Sequence, residues 1–159
     1  MTERLRRLER LHLQNPAYFL TCCTAARQSL LASQQIHDAF LQFCHGASQR
    51  NIFVGRYVLM PDHLHLFVKF SDPAHDLSSW VKSLKNSLSK TLRQAGRPPP
   101  HWQKGFFDHV LRASESYSKK WLYVAENPVR AGLVKERTEW PWQGEIHPLR
   151  IDENCSGGL

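Results

Sequence analysis

The stretch from Ile52 to Phe70, IFVGRYVLMPDHLHLFVKF, constrains the fold more than any other part of this chain. Two β-favouring runs, Ile52 to Met60 and His63 to Phe70, flank only Pro61-Asp62, a turn-forming pair with no room for a crossover. Strands joined this tightly must be antiparallel neighbours, so the spacing predicts a hairpin at the centre of a sheet.

The elements around it follow from apolar periodicity. After Asn15-Pro16, the run Tyr18 to Thr24 has a strand composition. From Ser29 to about Gln49, the residues Ile36, Phe40, Phe43, Cys44 and Ala47 recur at helical spacing and predict one buried helix face. Beyond the hairpin, Leu77, Trp80, Val81, Leu84, Leu88 and Leu92 mark a helix from Asp76 to Gln94, stopped by Gly96 and Pro98-Pro99-Pro100. Phe106 to Arg112 reads as a fourth strand. Ser114 offers an N-cap to a last helix running toward Asn127-Pro128. The order β-α-β-β-α-β plus one helix predicts an α+β, ferredoxin-like antiparallel sheet with helices on one face. Residues 1–15 read as a basic lead-in, and the tail, including Trp140-Pro141-Trp142 and residues 146–159, as irregular.

Charge narrows the partners. With 21 Lys+Arg against 14 Asp+Glu the chain carries +7, enough to attract a polyanion, and nucleic acid is the first to consider. The first twenty residues hold four arginines and no continuous apolar run, so neither a secretory signal nor a membrane span is expected, and a cytoplasmic location is. Cys22, Cys23, Cys44 and Cys155 form no C-x-x-C pair and read as small buried hydrophobes. Lys82, Lys85, Ser89 and Arg93 share one helix face, either a solvated stripe or a track for a phosphate backbone.

Two features carry chemistry. In His63-Leu64-His65 the pleat puts both imidazoles on one sheet face, where they either share a divalent metal or simply occupy a polar strand face. In the last helix Tyr117, Trp121, Val124 and Ala125 form an apolar face, while Ser116, Lys119, Lys120, Tyr123 and Asn127 lie together on a polar one. Tyr123 is a surface amphipath or, with the Asn127 amide one turn on completing a metal site with His63 and His65, a nucleophile beside a metal-bound phosphate. A phenol ionises near pH ~10 in water, so that role needs activation by the metal and by Lys119 or Lys120.

Three segments resemble a known family: Leu59 to Leu66 (LMPDHLHL), Trp102 to His109 (WQKGFFDH) and Tyr123 to Val134 (YVAENPVRAGLV). In this order they are similar to the single-tyrosine HUH transposases, and most similar to the REP-associated tyrosine transposase branch. The likeness covers about residues 16–145, which it implies are one catalytic domain. It implies that His63 and His65 bind a divalent metal, Mg²⁺ or Mn²⁺, that Asn127 is the third ligand, and that Tyr123 is the nucleophile. The implied substrate is single-stranded DNA, often beside an imperfect hairpin, cut to leave a 5′-phosphotyrosine. Lys82, Lys85, Arg93, Lys119, Lys120 and Arg130 are the expected phosphate contacts. Relatives include homodimers, and the sequence leaves open whether Tyr123 acts in cis or in trans.

The rival reading is a non-catalytic nucleic-acid-binding module or DNA-binding regulator. Ile52-Phe53-Val54-Gly55 and Phe67-Val68-Lys69-Phe70 look like parts of the two RNA-recognition signatures of a ferredoxin-like RRM, although a hairpin joins them here.

Overall fold

The computed structural model describes residues 17–72 and 74–151; the basic lead-in, Cys155 and the end of the tail lie outside the described residues. Five strands, β1 (Ala17–Cys23), β2 (Ile52–Leu59), β3 (His63–Phe70), β4 (Phe107–Leu111) and β5 (Gln143–Glu145), form one sheet in the order β4-β1-β3-β2-β5. Every neighbouring pair is antiparallel. The first four strands have the expected ferredoxin-like order, with the predicted hairpin at β2–β3 and β1 inserted beside β3.

Helices α1 (Gln34–Ala47) and α2 (Leu77–Gln94) cover one face of the sheet, where Tyr18, Leu20, Cys22, Leu64, Leu66, Val68 and Phe70 meet Ile36, Phe40, Leu84 and Leu88. Each of these helices starts on a side-chain cap. Ser33 Oγ accepts from the Ile36 amide and the Asp76 carboxylate from the Ser79 amide, satisfying first-turn donors that have no helical partner. The first helix starts later than the Ser29 predicted from periodicity. Leu30 and Leu31 instead donate their amides to the Pro61 carbonyl at 2.8 and 3.0 Å, binding the preceding loop to the hairpin turn.

The other face is covered by α3 (Ser114–Ala125), so the helices are not all on one side of the sheet. Tyr117 and Val124 of α3 pack with Ala17, Phe19, Val58, Phe67 and Trp140. The N-cap of α3 is Ala113, not Ser114, and no side chain caps it. The helix stops at Ala125, and a separate turn, α4 (Asn127–Arg130), begins at Asn127 with Pro128 near its start. Pro128 has no amide to give the Val124 carbonyl and its ring crowds that carbonyl, which separates Tyr123 and Asn127 into two helices.

Part of the tail is regular, since residues 143–145 form a strand, whereas residues 146–151 form neither helix nor strand, as expected. Trp140 Nε1 donates to the Leu59 carbonyl at 3.0 Å, and β5 adds a fifth strand along β2 with Arg56 opposite Glu145. Leu149 and Ile151 pack against the second core. Cys22 and Cys44 are fully buried, as expected, whereas Cys23 is half-buried. No described helix is long and apolar enough to cross a membrane.

One close approach locks α3 to the sheet. The pairing of β2 with β3 shifts register between Val54 and Tyr57, and the Arg56 amide donates to the Tyr117 hydroxyl at 3.1 Å. A Cβ on Gly55 would lie 2.6 Å from that hydroxyl and 2.7 Å from Leu149. Gly55→Ala is therefore expected to cost about 1–3 kcal/mol by overpacking, read as a lower denaturant midpoint with an unchanged slope.

Candidate active site

His63 and His65 project from β3 toward the α3 side, since the alternate residues Leu64 and Leu66 are buried under α1 and α2. Their rings meet edge to face with centroids 4.8 Å apart. Each ring has its Nδ1 held: His63 by the Asp62 carboxylate at 2.7 Å and His65 by Thr21 Oγ1 at 2.8 Å. Thr21 is the β1 residue directly opposite His65, so sheet register itself supplies this contact. Partners on Nδ1 of this kind fix ring orientation and, in the tautomer that donates Nδ1–H, leave the Nε2 lone pair for a metal. Phe19 stacks on the His65 ring at 5.2 Å and fixes it further.

The turn beside His63 is braced from two sides. Thr24 is fully buried and its hydroxyl bonds the Gln28 and Asp62 carbonyls, joining the loop after β1 to the hairpin turn. In that loop Ala26 and Arg27 both have φ of 53°, a left-handed conformation that side chains with a Cβ adopt at a cost. The strained turn brings the Arg27 guanidinium to Asp62 at 3.0 Å. Burial works to raise the Asp62 carboxyl, but its hydrogen bond with His63 and the charges of His63 and Arg27 hold it below the usual carboxylate range. Arg27 and Asp62 are members of the site that residue spacing did not single out.

Burial, together with the charges of His63, Lys120, Arg130 and Arg27, pushes His65 down to about 3. His65 is thus neutral at any physiological pH, the form in which imidazole binds metal. Stability should follow. Between about 3 and the ordinary value of 6.5 the unfolded chain binds a proton at this position that the folded chain does not. Metal-free protein should therefore lose stability as pH falls through that window, and His65→Gln should flatten this part of the profile in melts taken across it.

Tyr123 and Asn127 are joined to each other through Arg130. Tyr123 is 66% exposed, with the Arg130 guanidinium 4.1 Å above its ring. The same guanidinium donates to the Tyr123 carbonyl at 2.8 Å and to Asn127 Oδ1. An amide oxygen has two lone pairs, so this bond leaves Asn127 one for another partner. Lys120 lies 4.8 Å over the Phe19 ring that stacks on His65. Lys120 and Arg130 thereby connect the tyrosine helix to the histidine pair through charge, with Arg130 touching Tyr123 and Asn127 and both cations acting on His65. No hydrogen bond joins the histidines directly to Tyr123 or Asn127 among the described residues.

The α2 cations lie elsewhere. Lys82 and Arg93 are exposed on α2, on the face of the sheet opposite the histidines. Lys119, one turn before Tyr123 on α3, pairs with Glu115 at 2.8 Å. The α2 stripe is not uniformly solvated. Ser89 is buried against His101 and Trp102, and Lys85 donates to the carbonyls of Gln103 and Gly105 at 3.1 and 2.5 Å. Lys85 and Ser89 hold down the loop that leads into β4.

Among the described residues no group of three or more His, Cys, Asp or Glu side chains could hold a metal ion. The two imidazoles are paired on β3, and the Asn127 amide oxygen is held by Arg130 on α4.

Residues 12–125 match the model of the family described as Transposase IS200 like, which is most of the chain. The chain belongs to that family. His63, His65 and Tyr123 lie within the matched segment, and Asn127 lies two residues beyond it. An Escherichia coli REP-associated tyrosine transposase is 25% identical over 133 residues, covering 84% of this chain and 78% of its own. A Haemophilus influenzae protein named for the same transposase class is 23% identical, covering 82% of this chain and 84% of its own. In fold, the chain resembles a REP-associated tyrosine transposase solved bound to a REP hairpin, with a TM-score of 0.68 at 24% identity over 82% of this chain and 77% of that one. That solved structure shares the α+β fold described above.

Proposed function

We propose that this IS200-like transposase chain cuts and rejoins single-stranded DNA next to a hairpin through Tyr123, with a divalent metal, Mg²⁺ or Mn²⁺, held by His63, His65 and Asn127. The observation that carries the reading is the histidine pair: two rings edge to face, each Nδ1 engaged, on the sheet face that also receives the tyrosine helix and its cations. Such a donor set fits a divalent cation, and when bound that ion polarises the scissile phosphate.

The chain's own residues supply the rest. The Tyr123 phenol gives up its proton to solvent as its oxygen attacks phosphorus, the P–O3′ bond breaks, and the leaving oxygen takes a proton from solvent to become a free 3′-hydroxyl. Ester energy is conserved in a 5′-phosphotyrosine, so a later 3′-hydroxyl rejoins the strand without ATP. Lys120 and Arg130 bring positive charge to where the phosphate would lie. Arg130 touches Tyr123 and acts on His65 of the same chain, which favours action in cis. A cytoplasmic location is part of the same proposal.

The RRM reading loses its support. Phe67 is fully buried beneath Tyr117 and Trp121 and is not free to stack a base, and Phe53 is half-buried with its ring against His147. The test is covalent capture. With Mg²⁺ or Mn²⁺, a hairpin-bearing single strand labelled at its 3′ end should enter an adduct that survives denaturation, while 5′ label is released with a free 3′-hydroxyl. Binding without adduct in either metal would make the chain a DNA-binding module or regulator instead.

A further inference from the structure

On the face that carries the histidines, sheet register sets up a row: Phe107 of β4 is opposite Thr21 of β1, and Thr21 is opposite His65 of β3. The next row is His109, Phe19 and Phe67. Helix α3 covers Phe19 and Phe67 but does not reach the end of the first row, where Phe107 is 71% exposed. Strands lie about 4.8 Å apart, so Phe107 sits two strands, or roughly 10 Å, from His65.

The ring is exposed on a fixed backbone. Phe106 packs into the first core, so the alternation of the chain turns Phe107 to the opposite face. Just before it, Lys85 holds the Gln103 and Gly105 carbonyls, the Gln103 amide donates to the Cys23 carbonyl at 2.9 Å, and Trp102 bridges to Thr24. The loop is tied to the same strand, β1, that supplies Thr21 to His65.

We propose that Phe107 is a stacking platform for one unpaired base of single-stranded DNA, beside the phosphate held at the histidine pair. Single apolar side chains on a surface are ordinary, but this one is aromatic, rigidly based, and in line with a site ringed by Arg27, Lys120 and Arg130. An aromatic plane next to converging cations is the combination that binds single strands, cations on phosphates and rings on bases. Any base has a π-face, so the platform should favour unpaired over paired nucleotides more than one base over another.

This inference rests on the single-stranded DNA reading above, and its test separates the two. Full-length protein is titrated, without metal, into short single strands carrying 2-aminopurine at successive positions, with wild type, Phe107→Ala, Phe107→Leu and Phe107→Trp compared. Wild type should quench the probe at one position. Phe107→Ala and Phe107→Leu should lose that quench and bind about 5- to 100-fold more weakly, with the salt slope unchanged, while Phe107→Trp retains both. Melting curves should show each variant folded, as expected for an exposed side chain. If wild type binds but Phe107→Ala or Phe107→Leu matches it in affinity and quench, the platform is overturned. A change of oligomeric state on sedimentation in Phe107→Ala overturns it too, in favour of a contact between copies. If wild type binds no single strand at all, the DNA reading itself has failed.

Discussion

Tyr123→Phe should eliminate the covalent protein–DNA adduct, by roughly 10³-fold or more, while leaving fold and DNA affinity close to wild type. The two contacts that place this residue do not use its hydroxyl. Arg130 lies over the ring, which phenylalanine keeps, and donates to the backbone carbonyl, which any residue has. Tyr123 is also mostly exposed, so loss of one oxygen leaves no buried group without a partner. Only the oxygen that would bond to phosphorus is gone.

Tyr117 supplies the control in the same helix. It is buried, its ring packs on Phe67 at 4.6 Å, and its hydroxyl accepts from the Arg56 amide. Tyr117→Phe should thus cost about 1–3 kcal/mol of stability by orphaning that amide, and still form adduct. A denaturing gel with 3′-labelled hairpin DNA and a denaturant melt on both variants decide the matter. Adduct from Tyr123→Phe, or its loss only in Tyr117→Phe, would reassign the nucleophile.

The sequence revealed what depends on periodicity and local turns. Pro61-Asp62 between two β-rich runs fixed the hairpin, and Leu84 and Leu88 at helical spacing marked the buried face of α2. It did not reveal what depends on contacts between distant segments. Gln143-Gly144-Glu145 has no strand composition and becomes β5 because the flanking Trp140 and Trp142 anchor it along β2. Lys85 looked like a solvent-facing cation because its helix position is polar. The carbonyls it holds come from a loop some twenty residues away whose path no spacing predicts.

The site divides in the same way. His63 and His65 were legible as a pair because a strand pleat has a fixed period. The groups that orient them were not: Thr21 reaches His65 only through the β1–β3 register, and Arg27 reaches Asp62 only because two residues adopt left-handed backbone. The helical spacing of Tyr123 and Asn127 was readable, but the break at Glu126 changes its meaning. Arg130 now spans the two residues that one continuous helix would have aligned directly.

That division predicts a graded response of metal affinity. His63→Ala or His65→Ala each remove a donor atom outright and should abolish Mn²⁺ binding, so that the free-ion resonance, which wild type diminishes in electron paramagnetic titrations, persists. Thr21→Val keeps both donors and removes what holds Nδ1 of His65, and Asp62→Asn keeps both donors and replaces the carboxylate on Nδ1 of His63 with a neutral, weaker acceptor, so each should weaken binding about 10- to 100-fold. Thr21→Val is the sharper of the two. Its methyl groups keep the β-branched shape in a strand interior, so a loss of affinity reports the hydrogen bond to His65 and not a loss of packing. Asp62 also accepts from Arg27, so its variant frees a cation beside the site and should lower Mn²⁺ affinity further by repulsion. The order expected is wild type, then Thr21→Val, then Asp62→Asn, then the histidine variants, all with melting curves showing folded protein. Unchanged Mn²⁺ affinity in both histidine variants would show that this pair is not the metal site, whatever becomes of Tyr123.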